Sequence, residues 1–155
     1  MVKKVLLWCL VIIWMILIFA FSAQPASDSD ALSGGIAEKI VQFILNMQKT
    51  PVFSVIDADI VENFVIHANH YIRKTAHFMI YAVLGVLVYG LMAAYNIKKR
   101  KTIMFSVVVC LLYAVSDEIH QIFVPGRAGR IGDVLIDFCG SASAISIRGI
   151  LNKSA

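Results

Sequence analysis

Charge is scarce in this chain: only 15% of its 155 residues are charged and 59% are hydrophobic, whereas roughly a quarter of an average chain is charged. A soluble domain of this length needs more polar surface, so an ordinary soluble fold is excluded. The mean hydropathy of +0.80 points the same way. Cysteine is also sparse. Cys9, Cys110 and Cys139 are an odd set, each inside an apolar run and with no C-x-x-C spacing. That excludes a disulfide framework and a cysteine zinc site, and leaves them as small apolar residues facing lipid or a neighbouring helix. Prolines number three (Pro25, Pro51 and Pro125), and each interrupts the pattern around it. There is no internal repeat and no low-complexity segment. The net charge of +4 does not form a basic stripe; the basic residues flank apolar runs, so no nucleic-acid partner is expected.

What the chain has instead is long apolar runs, each near the 20 or so residues that a helix needs to cross the hydrocarbon. Four spans are predicted, at about 5–23, 70–95, 102–124 and 131–151, within a single membrane domain covering 1–155. The first follows Lys3 and Lys4 and reads as an uncleaved span rather than a signal peptide, because it is long for a signal core and membrane-like segments follow it. Pro25 resists its continuation. Between the first two spans, about 26–69, the chain turns polar. Ser27, Asp28, Ser29 and Asp30 are helix-start candidates, and Ile36, Ile40, Phe43, Ile44 and Met47 recur at helical spacing. This is an amphipathic helix too polar to span, expected on the membrane surface or capping the bundle. Pro51 ends it, and Asp57 and Asp59 are placed to cap a second helix leading directly into the next span. The fold class is therefore all-α: an integral membrane four-helix bundle with an extracytoplasmic amphipathic cap between spans 1 and 2.

Topology follows from the basic residues. With four spans, Lys3, Lys4, the cluster Lys98–Lys101, Arg148 and Lys153 fall on one side, which is then cytoplasmic, as are both termini. All ten acidic residues fall in the outer loop or the outer halves of spans. Acids contribute little to topology, so their one-sidedness signals an outward-facing polar site.

Helical spacing decides which of these groups meet. Arg73, His77 and Tyr81 are spaced i, i+4, i+8. Asp117, His120 and Gln121 share a face of the third span, and Asp133 and Asp137 are one turn apart on the fourth. Gly140, Ser141 and Ala144 continue near that face and would let a neighbouring helix approach closely. Ionisable groups at membrane depth cost about 2.5–3.5 kcal/mol each even on a lenient scale, so these should face the bundle interior and pair. Three readings stay open. In one, Arg73, Lys74, Arg127 and Arg130 hold an anionic head group, helped by Gln24, Gln121 and Tyr81. His77 or His120 then acts as nucleophile or general acid/base, with Asp117 or Asp137 orienting the ring. In the second, His77, His120 and Asp133 are weak metal candidates, because no compact ligand motif accompanies them. In the third, the set is an ion-pair network that fixes helix register. The sequence leaves any cofactor unidentified.

The residues also carry a resemblance. Phe21-Ser22-Ala23-Gln24, Arg73-Lys74-Thr75-Ala76-His77-Phe78 with Tyr81, Asp117-Glu118-Ile119-His120-Gln121 before Val124-Pro125-Gly126-Arg127, and Asp133 with Asp137 and Gly140 resemble the signatures of VanZ-like membrane proteins. The resemblance implies a bacterial cell membrane and an envelope role. The family's founding member is associated with resistance to the lipidated glycopeptide teicoplanin. It supplies no catalytic residues. The expected ligands are membrane lipids, specifically an anionic envelope lipid, a lipid-linked cell-wall intermediate or a lipidated glycopeptide, bound or modified at the outer leaflet. A lipid-phosphatase-type enzyme and a structural, partner-binding membrane protein are the alternatives. A transporter is disfavoured by four short spans without repeats.

Overall fold

A computed structural model of the chain describes residues 1–47 and 58–152. Among them five helices follow one another: α1 (Val2–Ser22), α2 (Ala26–Met47), α3 (Ala58–Ala93), α4 (Lys99–Gln121) and α5 (Ile131–Leu151). No strand occurs among the described residues. Among the described residues four stretches are long and apolar enough to cross a membrane: α1, His70–Ala93 of α3, α4 and α5. At 1.5 Å per residue, the 21 residues of α1 reach about 31 Å, close to the thickness of a hydrocarbon core. An all-helical bundle follows from that length, since every backbone N–H and C=O must then be satisfied within its own segment.

Several boundaries differ from expectation. The third span begins and ends about three residues earlier than predicted, because Lys99, Arg100 and Lys101 form the first turn of α4 rather than a hairpin. The reversal lies just before them, where Asn96 adopts a left-handed φ of 55° that asparagine tolerates. At the other end, the Phe123 and Val124 N–H groups bond back three residues, to the carbonyls of His120 and Gln121. This tightens the chain into the turn that Pro125 and Gly126 complete, Gly126 at φ 75°. α2 starts at Ala26, directly after Pro25, so the start signals at 27–30 lie inside its first turns. Its first N–H is held by the Pro125 carbonyl at 3.3 Å, which fastens the beginning of α2 to the turn between α4 and α5. The predicted break at Pro51 and the cap at Asp57 lie outside the described residues. α3 runs unbroken from Ala58 into the second span, as its pattern suggested.

α3 is the central helix. It packs most extensively on α5, then on α4, α2 and α1. Tyr81, Leu84, Val88, Tyr89 and Leu91 of α3 form the core with Cys110 and Ala114 of α4 and Ile145 of α5. The α3–α5 seam is close enough to be glycine-dependent. A Cβ added at Gly85 would stand 2.6 Å from the Ser141 carbonyl oxygen, and one at Gly140 would overlap the Phe78 carbonyl. Small residues permit that approach where lipid provides no hydrophobic drive for helices to associate. α1 is held differently. Its outward side chains, among them Leu6, Ile13 and Ile16, are exposed. Its inward Val11 and Ile18 join the core, and hydrogen bonds add to that packing: Trp8 Nε1 donates to Tyr95 OH at 2.9 Å, Trp14 Nε1 to the Ile80 carbonyl at 3.0 Å, and Tyr113 OH to the Met15 carbonyl at 2.6 Å. All three cysteines are free, Cys110 buried between helices and Cys9 and Cys139 on the outside.

The antiparallel arrangement sorts the bundle's ends. Lys3, Lys4, Lys98–Lys101 and Arg148 collect at one, where Lys4 Nζ sits 4.5 Å above the Tyr95 ring. The end of α1, the end of α4 and the start of α5 meet at the other, together with the described acidic side chains.

Candidate functional site

The closeness of α3 and α5 sets the site's first feature. Gly140 lies three residues after Asp137, and Phe78 follows His77, so the glycine contact brings those two side chains face to face. His77 Nδ1 is 3.4 Å from Asp137 Oδ1. Asp137 is buried, and neither of its oxygens has a directed hydrogen-bond donor among the described residues. The pair is an electrostatic contact rather than a well-formed hydrogen bond. One turn nearer the bundle end, Lys74 Nζ is 3.9 Å from Asp133 Oδ1 in a partly exposed pair. That second contact contributes little to stability.

Asp117 of α4 is the second feature and is fully buried. Its Oδ2 accepts from Ser22 Oγ at 2.7 Å, Tyr81 OH at 3.2 Å and Gln121 Nε2 at 3.3 Å, which joins α1, α3 and α4 at one atom. Gln121 Nε2 also reaches Ser22 Oγ at 3.4 Å, and its Oε1 accepts from Arg127 Nη1 at 3.3 Å. Arg127 then closes the end of α1. Its Nε donates to the Gln24 carbonyl at 2.9 Å and its Nη2 to the Phe21 carbonyl at 3.4 Å. α1 has no basic residue in its last turn, so this guanidinium supplies the cation that a helix C-terminus favours. At the start of α5 the charges are reversed: Glu118 Oε1 accepts the Arg130 N–H, a carboxylate placed where helix N–H groups are unpaired.

Two cavities at this end are lined by the site's charged residues. The smaller, about 20 Å³, is a polar cup whose basic lining is His70, Arg73, Lys74, His77, Arg127 and Arg130. Asp133 is the one acid in its wall among the described residues. The larger, about 200 Å³, is an apolar groove between α1 and α3. Arg73, His77 and Arg127 line both.

The expected residues thus separate. Arg73, Lys74, His77, Gln121, Arg127, Arg130 and Asp133 surround the cup, with Asp137 behind His77. Tyr81 and Gln24 line the groove, and Asp117 lies behind Tyr81. His120 stands apart, lining neither cavity. Its ring stacks on Phe19 of α1 at 4.0 Å, and its Nε2 is buried with no hydrogen-bond partner among the described residues. At about 100° per residue, His120 and its neighbour Gln121 leave the helix in different directions, and Gln121 is the one turned to Asp117. Among the described residues no three His, Cys, Asp or Glu side chains converge to hold a metal ion. His120 is turned away from His77, and Asp133 is matched with Lys74.

Ser22 and Glu118 build the site, although in the sequence they stand out only as members of the signature motifs, with no role of their own. Ser22 left a faint signal, a hydroxyl in the last turn of an otherwise apolar span. Glu118 left one too, a second carboxylate beside Asp117 in a span. A family model described as VanZ/LLP1 matches residues 7–152, nearly the whole chain. No curated protein and no solved structure matches it significantly.

Proposed function

The chain belongs to the VanZ/LLP1 family, and on that premise we propose that it binds the anionic head group of an envelope lipid, or of a lipid-linked cell-wall intermediate, in the polar cup. The observation that carries this reading is the cup's lining: among the described residues, three arginines, a lysine and two histidines against one carboxylate. Guanidinium groups match phosphate oxygens bidentately, and a charge-assisted hydrogen bond contributes about 1.5–3 kcal/mol. In nanodiscs, short-chain phosphatidic acid should bind the protein, and Arg73→Gln combined with Lys74→Gln should weaken that binding at least about tenfold. Equal binding of a neutral phosphatidylcholine analogue would sink the reading. An outer-leaflet ligand of this class connects the protein to the bacterial envelope, and lowered susceptibility to teicoplanin is the phenotype expected of cells expressing it.

One geometric feature favours a second, enzymatic reading. With Nδ1 turned to the buried Asp137, the His77 ring is oriented as a nucleophile or general base is when a carboxylate holds it. Release of inorganic phosphate from the bound lipid, lost in His77→Gln while binding persists, would select that reading over binding alone. His120 has no part in it.

The cup faces outward in this proposal because the basic end lies in the cytoplasm. In a protein stripped of its native cysteines, Ala31→Cys in α2 should react with an impermeant maleimide applied to intact cells. Lys99→Cys should react only after the cells are opened. The reverse pattern would place the cup inside.

A further inference from the structure

The cup and the groove share Arg73, His77 and Arg127 in their linings, and their sizes differ tenfold. A space of about 20 Å³ admits about one water-sized group, so only the oxygen atoms of an anion reach its floor, and the remainder of a ligand needs another route. The groove of about 200 Å³ begins at the same Arg73, His77 and Arg127 and runs between α1 and α3. Ile18 and Phe21 of α1 and Ile72, Ala76 and Ile80 of α3 make its walls, with Ile36 of α2 at its rim. Its inner end is shut where Trp14 Nε1 ties α1 to the Ile80 carbonyl and where Ser22 and Tyr81 meet on Asp117. Its outer side is open, because Phe21 and Ala76 are exposed on the lipid-facing surface. A cationic cup at one end of an apolar slot that opens sideways complements a molecule with a compact anion at one end and hydrocarbon behind it.

We propose that the groove holds the first part of the hydrocarbon chain of a phosphate-bearing lipid, which enters sideways from the membrane between α1 and α3 and places its phosphate in the cup. This rests on the head-group reading above and adds where the chain lies and how the ligand arrives. The groove's share of the affinity comes from burying apolar chain against apolar wall and from fixing the phosphate in register with Arg73, His77 and Arg127.

The test uses the full chain in phosphatidylcholine nanodiscs with two probes, palmitoyl lysophosphatidic acid and chainless glycerol phosphate. Ala76→Trp fills the groove from its exposed side at a position that is not part of the cup's lining. It should weaken lysophosphatidic acid binding at least about tenfold and leave glycerol phosphate binding unchanged. Independently, in the unaltered protein, a diazirine on the lipid chain should label α1 near Ile18 and Phe21 and α3 near Ile72 and Ile80. The outward residues Phe105 and Leu112 of α4 should stay unlabelled. If Ala76→Trp binds both probes as the wild type does, or if the label spreads evenly over α4, the groove is not the chain's site and the head-group reading stands alone. If the wild type binds neither probe, the head-group reading fails and this one fails with it. Should Ala76→Trp lose both probes, the labelling pattern of the wild type decides.

Discussion

Gly140→Ala is expected to cost the folded protein more than any other single methyl group added to the bundle. The new Cβ would overlap the Phe78 carbonyl, with the Phe78 carbonyl carbon and Cα within 3.1 Å. All three are backbone atoms, so no rotamer change relieves the contact and α3 and α5 must separate. Gly85→Ala meets the same obstacle from the other helix, at the Ser141 carbonyl oxygen and Cα. Overpacking a tight core costs about 1–3 kcal/mol and sometimes more, and here the strain falls on the most extensive helix contact in the molecule. Gly90→Ala is the control. Its Cβ would meet only Leu7 Cδ2 at 3.8 Å, an ordinary contact. Losing a helical glycine there should leave stability unchanged or raise it by about 0.5–1 kcal/mol. Unfolding in mixed micelles should therefore rank Gly90→Ala at or above the wild type, with Gly85→Ala and Gly140→Ala well below both. Equal stability of Gly140→Ala and Gly90→Ala would show that the seam is looser than described. Separating the helices also widens the His77–Asp137 distance, so Gly140→Ala should lose head-group binding even where it still folds.

That seam shows what a single sequence reveals and what it does not. Gly140, Ser141 and Ala144 mark a close approach, and i, i+4 spacing puts Arg73, His77 and Tyr81 along one groove wall, because both features are local to one helix. The four spans are legible for the same reason: each is an apolar run with its own stop signal. The partner across a gap is not local. Nothing around Glu118 says that it will hold the Arg130 N–H, and nothing around Arg127 says that it will close the end of α1. Both depend on how the turn at Pro125 and Gly126 folds back beneath the helices. His120 shows the limit of face arithmetic. It and Gln121 both fall within one turn of Asp117, yet the packing of α1 decides that the amide enters the network and the imidazole meets Phe19. The start of α2 at Ala26 is not legible locally, because its anchor, the Pro125 carbonyl, lies about a hundred residues further along the chain.

Asp117→Ala is the second substitution expected to have a large effect, and it tests whether the buried network holds the site together. One oxygen of Asp117 accepts from Ser22, Tyr81 and Gln121. Hydrogen bonds inside membrane bundles contribute on average about 0.6 kcal/mol each and at most about 1.7, so losing three amounts to about 2–5 kcal/mol. Compensation is limited, because the three donors would be left in a site closed to water, apart from the Gln121–Ser22 contact they already share. α1 should suffer first. It packs less extensively on the bundle than α3, α4 and α5 do on one another, and its end is held by the Ser22 contact and by Arg127, which itself leans on Gln121. Limited proteolysis or hydrogen exchange should therefore show α1 loosened in Asp117→Ala before the α3–α5 pair opens. Asp117→Asn keeps one acceptor oxygen and should lose about half as much. Asp133→Ala, at the partly exposed edge of the cup, should change stability by less than about 1 kcal/mol. If Asp117→Ala and Asp133→Ala proved equally mild, the buried carboxylate would be no fastener of α1, and its place behind the groove would need a chemical explanation in which Tyr81 passes a proton to or from Asp117.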